Sequence, residues 1–324
     1  MGTTHRLTFS RSITFTLTHD CPWHCQYCGF RTDSEGLLPD RELTRLSQQI
    51  EHYSIDEALL ISGERPGSMA HIRTELNQRG FADFIDFAIH AAQTALAAGA
   101  LPHGNFGALT ESDLARLRPW HVSMGLMLEN IHDYPWAPQK KAKARLNTLL
   151  AAGKLKIPFT SGLLLGMGES RTSRFESLEA LADLHLRYGH LQEILLQNFV
   201  PNHRSPLQFI PEPLTVNDFA ELILFWKDRC PDVPVQIPPN LTPFWPELIP
   251  LASDLGGISF ARDEVNQDHP WQTEETYRQT AQSAGAVLEP RLAIYDRFID
   301  PTWLDPALLA KVKTAQEKLT KVSF

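Results

Sequence analysis

Three of the chain's four cysteines, Cys21, Cys25 and Cys28, fall within the short run Cys21-Pro-Trp-His-Cys25-Gln-Tyr-Cys28. Thiolates are soft ligands for zinc and for iron–sulfur clusters. A structural zinc site takes four ligands, commonly as two C-x2-C pairs. Here the spacing is Cys-x3-Cys-x2-Cys with no second pair. His24 lies between two of the cysteines, where it would strain a tetrahedron. Cys230 stands alone in Arg229-Cys230-Pro231 and reads as a partly buried thiol. Three thiolates on one loop can instead hold three corners of a 4Fe-4S cube, leaving the fourth iron open to a ligand. The loop is therefore a candidate catalytic centre, with a zinc knuckle as the alternative.

Such a loop needs a rigid frame, and the apolar pattern supplies one. Strand-like runs are expected over 13–19, 57–61, 101–108, 122–128, 157–165, 191–199 and 233–237, with an eighth over 256–259. Amphipathic helices are expected between them, over 41–53, 81–98, 139–152, 174–188, 216–228 and 273–284. Repeated strand–helix units give parallel strands joined by right-handed crossovers. Up to eight such units predict an α/β fold, a TIM-type (β/α) barrel, complete or nearly complete. A doubly wound open sheet is the alternative. Active-site residues of a barrel gather at the C-terminal ends of its strands, and the cysteines directly follow the first one. No linker, low-complexity tract or fixed-period repeat divides the chain. One barrel domain over 1–324 is expected, with a charged C-terminal helical extension over about 296–324 packing on the outside.

The chain has 324 residues, 43% of them hydrophobic and 21% charged, which argues against disorder. Its 30 Lys and Arg against 38 Asp and Glu give a net charge of −8. A nucleic-acid partner held by phosphate neutralisation is not expected from that balance. No apolar run reaches the roughly 18 residues a membrane helix needs, and the N-terminus has no signal-peptide core. A cytoplasmic enzyme is the expectation.

The cysteine loop, with aromatic Tyr27 before its last cysteine, resembles the signature of the radical S-adenosylmethionine (SAM) superfamily. Longer segments narrow the resemblance. They are Ser62-Gly63-Glu64-Arg65-Pro66, the run 154–169 ending Leu165-Gly166-Met167-Gly168-Glu169, and Arg187-Tyr188-Gly189-His190. Leu196-Gln197-Asn198-Phe199, Gln236-Ile237-Pro238-Pro239-Asn240, Gly256-Gly257-Ile258-Ser259 and His269-Pro270-Trp271 complete the set. Together, from about Ile13 to Tyr295, they resemble the ring-closing subunit of the deazaflavin-forming FO synthases. Gly67, Leu255 and Phe260 depart from that family's usual residues. The hydroxybenzyl-transferring sister subunit, or a menaquinone-pathway radical SAM relative, is the other reading.

The resemblance implies one 4Fe-4S cluster on Cys21, Cys25 and Cys28, with SAM as second cofactor. Cluster-driven cleavage of SAM would give a 5′-deoxyadenosyl radical. The substrate would be the 5-amino-5-(4-hydroxybenzyl)-6-(D-ribitylimino)-5,6-dihydrouracil adduct, closed to FO with loss of ammonia. Partners would be the sister subunit and an electron donor. Tyr27 would lie by the adenine or the cluster. Ser62, Gly63 and Glu64 would hold the SAM ammonium, Glu129 its ribose hydroxyls and Arg145 its carboxylate. Gly166, Gly168 and Glu169 would border the adenine. The amides of Gln197, Asn198, Gln236 and Asn240 suit a uracil ring and a ribityl chain, because an amide both donates and accepts. His269 and Trp271 are candidates for the mouth of the site. A general acid or base is not singled out among His103, Tyr134 and Glu169.

Overall fold

The computed structural model describes residues 5–32, 35–205, 213–259, 263 and 266–322. Nine strands form one parallel sheet. They are β1 (His5–Thr18), β2 (Glu57–Ser62), β3 (Leu101–Asn105), β4 (Ser123–Gly125), β5 (Phe159–Leu165), β6 (Leu191–Asn198), β7 (Val235–Gln236), β8 (Asp254–Ile258) and β9 (Ala286–Pro290). The order runs from β2 through β8 to β1 and β9. β1 also pairs with β2, from Ser12–Glu57 to Thr18–Ser62, and this pairing closes eight strands into a barrel. Closure excludes the open doubly wound sheet.

The helices are α1 (Asp40–Tyr53), α2 (Ala70–Gln78), α3 (Phe84–Ala98), α4 (Glu111–Leu117), α5 (Ala142–Lys154), α6 (Arg171–Tyr188), α7 (Val216–Arg229), α8 (Trp245–Leu248), α9 (Glu274–Ser283) and α10 (Pro306–Val322). α3 starts three residues later than its apolar pattern suggests, because the Asp83 carboxylate accepts from Asp86 N and caps it; Gly99 ends it in the left-handed conformation. Thr110–Asp113 and Thr215–Asp218 form reciprocal capping boxes on α4 and α7. All seven residues of β5 are buried, as expected for a strand covered on both faces.

Several elements lie outside the sequence expectations. α2 and α4 were not anticipated: both are short, with few apolar positions. β9 was missed as well. It pairs with His5–Phe9, so β1 runs eight residues further toward the N-terminus than expected. β4 covers only Ser123–Gly125, leaving Glu129 beyond the strand. Phe260 lies outside the described residues.

The C-terminal helix α10 packs Leu308, Leu309 and Val312 against Leu101, Val122, Leu292 and Phe298. Leu101 opens β3 and Val122 precedes β4, so this plug covers the end of the barrel opposite the cysteine loop. Each fully buried leucine or phenylalanine there contributes roughly 2 kcal/mol of apolar burial. Among the described residues no helix is long and apolar enough to cross a membrane.

Candidate active site

The cysteine loop leaves the C-terminal end of β1 just after a register shift between Thr16 and Thr18. Such a bulge re-aims the chain beside a site. The loop then crosses the end of β2. Gly63 N donates to Thr18 O at 3.0 Å. A Cβ on Gly63 would stand 2.2 Å from the Asp20 carbonyl and 2.7 Å from Cys21 Cβ, so only glycine lets the two segments approach. Arg31 Nε donates to Cys21 O at 3.0 Å, and Cys28 N donates to Cys25 O at 3.1 Å. Cys21 and Cys25 are buried and Cys28 is half-buried. Burial raises the Cys21 thiol and pushes Cys25 up to about 12, with Lys140 opposing.

The three thiols line a cavity of about 240 Å³ together with Tyr27, Ser62, Gly63, Glu64, Glu129, Lys140, Arg145 and Gln197. Glu129 sits at the end of the β4 segment with φ 67, a conformation uncommon for a non-glycine residue. Its backbone is held there by Glu129 N to Gly162 O at 3.0 Å and Leu164 N to Glu129 O at 3.1 Å. Its carboxylate accepts from the Tyr27 hydroxyl at 2.6 Å and from Lys140 Nζ at 2.9 Å. Arg145, projecting from α5, brings Nη2 to 3.2 Å from Glu129 and 3.4 Å from Glu64, while Nη1 donates to Met127 O at 2.6 Å. Burial alone would raise the Glu129 carboxyl. The Arg145 and Lys140 charges and the Tyr27 hydroxyl outweigh it and bring the group down to about 2. Two carboxylates, Glu64 and Glu129, thus face two cations, Lys140 and Arg145. Lys140 belongs to this set although sequence reasoning missed it. It lies in a Gln-Lys-Lys run that looks like a solvated helix start, and only the fold turns it inward.

The turn after β5 is placed differently. Gly166 and Gly168 adopt φ 90 and 89, and Glu169 accepts from Gly166 N at 2.9 Å and Met167 N at 2.7 Å. Its second role is an ion pair with Arg174 Nε at 2.7 Å, and its side chain is almost fully buried. These three residues do not line the cavity of the thiols. Tyr134 is buried as well, stacked on Trp136 at 5.3 Å with its hydroxyl donating to Leu164 O at 3.4 Å.

A second cavity of about 220 Å³ lies deeper in the barrel, lined among others by His103, Gln197, Gln236, Asn240, Trp271 and Arg291. The two share Ile61, Asn105, Leu126, Met127, Gln197 and Asn266, and so run together. Asn198 is outside both; its Nδ2 donates to Leu241 O at 2.9 Å and ties β6 to the segment after β7. Asn240 Nδ2 donates to Asp263 at 2.8 Å and to His269 O at 3.0 Å. Among the described residues, His269 is tied to the chamber through its backbone carbonyl. At the chamber floor Arg291 reaches Asp254 at 2.6 Å and Glu193 at 3.1 Å.

Two observations bear on the cofactors. Among the described residues no three His, Cys, Asp or Glu side chains converge closely enough to share one metal ion. Three thiols on one loop, all lining one cavity, can hold three corners of a 4Fe-4S cube. Arg145 lines the cavity, and among the described residues its buried Nε has no hydrogen-bond partner. The donor set therefore fits a cluster with a zwitterionic ligand beside it.

No family model matches the chain. Its fold is that of solved structures. The FeFe-hydrogenase maturase HydG from Carboxydothermus hydrogenoformans superposes with TM-score 0.68 at 17% identity, over 98% of this chain and 78% of that one. Methylornithine synthase (PylB) gives TM-score 0.65 at 13% identity, over 96% and 86%. A closed parallel barrel carrying this cysteine loop at the strand ends is a radical SAM barrel. Among curated proteins, the 7,8-didemethyl-8-hydroxy-5-deazariboflavin synthase of Methanosphaerula palustris is 38% identical over 331 residues, covering 98% of each chain. That of Archaeoglobus fulgidus is 35% identical over 309 residues, covering 93% of this chain and 94% of its own. The chain belongs to the 7,8-didemethyl-8-hydroxy-5-deazariboflavin synthase family, radical SAM enzymes of deazaflavin biosynthesis.

Proposed function

We propose that this chain is the ring-closing subunit: it converts the hydroxybenzyl–ribityliminodihydrouracil adduct to the deazaflavin FO with loss of ammonia. The observation that carries the reading is the pair of joined cavities, one lined by three thiols and a charged SAM-type set, the other by amides. Cys21, Cys25 and Cys28 would hold a 4Fe-4S cluster, which would supply the one-electron reduction that SAM-based radical chemistry needs. The chain's own residues then have distinct tasks. Arg145, lining the thiol cavity, directs its guanidinium to the SAM carboxylate. Glu64, with the Ser62 and Gly63 backbone, accepts from the ammonium. Glu129, kept ionised, accepts from ribose hydroxyls, and Tyr27 fixes its orientation. Gln197, lining both cavities, faces the boundary between cofactor and substrate, while Gln236 and Asn240 line the substrate side. Gly166, Gly168 and Glu169 act indirectly, shaping the turn after β5. The chain works in the cytoplasm, where its thiols stay reduced, with an electron donor and the sister subunit as partners.

The test is an anaerobic assay of reconstituted protein with dithionite, SAM and the preformed adduct, following 5′-deoxyadenosine and deazaflavin fluorescence together. Both signals are expected, and Cys25→Ala abolishes both. Deoxyadenosine without fluorescent product overturns the substrate assignment. Turnover of tyrosine with the ribityl uracil, in place of the adduct, assigns the chain to the sister step instead.

A further inference from the structure

His103 stands on β3 opposite Ser123 on β4, inside the deeper cavity. Its Nδ1 lies 2.7 Å from Ser123 Oγ. Ser123 is fully buried, and its hydroxyl donates to the Ala293 carbonyl at 2.6 Å. A serine hydroxyl has one proton. With that proton on Ala293 O, Oγ can only accept from the histidine, so Nδ1 carries the ring hydrogen. Burial first, and then the Arg291 charge, push the imidazole down to about 3, far below neutrality. A neutral ring protonated on Nδ1 presents a bare lone pair at Nε2. Among the described residues no side chain or backbone group hydrogen-bonds Nε2, although the chamber is lined with polar groups. The neighbouring strand makes room for it: a Cβ on Gly125 would stand 2.8 Å from Nε2.

We propose that His103 is a specificity-determining residue, held by Ser123 as the Nδ1–H tautomer so that Nε2 accepts a hydrogen bond from an N–H or O–H of the substrate. The proposal rests on the ring-closing reading and deepens it. Glutamine and asparagine amides can turn over to suit either a donor or an acceptor. A tautomer-locked imidazole cannot, so it sets the polarity of its position in the chamber. A ligand offering an acceptor there would meet lone pair with lone pair, a mismatch a buried site discriminates strongly. The other two acid–base candidates do not compete for this place, since Glu169 and Tyr134 line neither cavity.

Two measurements test it. The first is the ring ¹⁵N spectrum of histidine-labelled, oxidised holoenzyme at pH 7, with His103 assigned by its loss in His103→Asn. The expected pattern is protonated Nδ1 with bare Nε2, and Ser123→Ala shifts it toward the other tautomer. A proton on Nε2 in the wild type overturns the proposal, and this readout does not depend on which substrate the enzyme uses. The second is adduct affinity for the SAM-loaded oxidised holoenzyme. His103→Asn keeps a donor at the Nδ1 position and deletes the acceptor. It is expected to weaken the adduct roughly 10- to 100-fold, leaving SAM affinity within about twofold. His103→Gln, whose side-chain oxygen reaches the place of Nε2, restores most of the loss. Adducts methylated on the phenol oxygen or on the ring imide nitrogen identify the donor: the relevant methyl penalises the wild type and not His103→Asn. A penalty from neither, or unchanged adduct affinity in His103→Asn while the wild type turns the adduct over, overturns the proposal and spares the ring-closing reading. A wild type that cleaves SAM without converting the adduct overturns the ring-closing reading, while the nitrogen spectrum still decides the tautomer.

Discussion

Lys140 Nζ lies 2.9 Å from Glu129 Oε1, and the same ammonium donates to the Tyr27 hydroxyl at 2.8 Å. A half-buried lysine thereby bridges the cysteine loop and the carboxylate that follows β4. Burial lowers the ammonium's pKa, but Glu129 and Tyr27 outweigh it and hold the group well above its usual range.

Lys140→Met removes one cation and leaves Glu129 facing Arg145 alone. Breaking a buried pair in this way costs about 3 kcal/mol. The urea midpoint should fall accordingly. Lys140→Met combined with Glu129→Gln should recover part of the loss, because the carboxylate left without Lys140 is then gone.

Gly63→Ala drives a methyl into the Asp20 carbonyl and Cys21 Cβ. The cysteine loop must shift, so iron and sulfide per chain should drop steeply after anaerobic reconstitution. Far-UV circular dichroism should keep its barrel signature, since the clash lies at the strand end. Iron content equal to the wild type would refute the close-approach account.

Arg145→Gln removes the guanidinium whose Nε has no protein partner. SAM affinity of the oxidised holoenzyme, measured by calorimetry, is expected to fall at least roughly tenfold, the usual scale for losing a charge-assisted contact to a carboxylate. An unchanged affinity would remove Arg145 from the SAM site.

His190 is fully buried, beside Tyr188 and Phe159, and burial pushes its imidazole down to about 3. The unfolded chain binds a proton below its ordinary pKa of about 6.5, whereas the folded chain does not until about pH 3. Its contribution therefore destabilises the fold progressively as pH falls from 6.5 toward 3, by about 2 kcal/mol at pH 5. Glu193, pushed up to about 7, and Asp56, pushed up to about 6, work in the opposite direction by keeping their protons in the fold. Comparing the wild type with His190→Phe cancels those terms. The variant should lose about 2 kcal/mol less than the wild type between pH 7 and pH 5, read from urea midpoints.

Local chemistry was legible in the sequence where the residues sit close along the chain. The spacing of Cys21, Cys25 and Cys28 marked a candidate cluster loop, and apolar periodicity gave seven of the barrel's eight strands and α1, α3, α5 to α7 and α9 within a few residues. What each strand-end residue touches was not legible. Gly166, Gly168 and Glu169 read as one motif, yet the carboxylate turns inward to its own loop and Arg174. Lys140 reads as surface charge and is turned half-buried into the cavity of the thiols.

The sequence by itself determined the three-cysteine loop, the alternation of strands and helices and the family, because each is written in neighbours along the chain. The tertiary structure alone decided that β1 closes on β2, that Arg145 and Lys140 converge on one carboxylate, and that Ser123 stands between His103 and the Ala293 carbonyl. Ser123 and Ala293 lie 170 positions apart. Contacts of that separation are set by barrel closure and by competition for buried hydrogen bonds, and no local pattern of residue types encodes either.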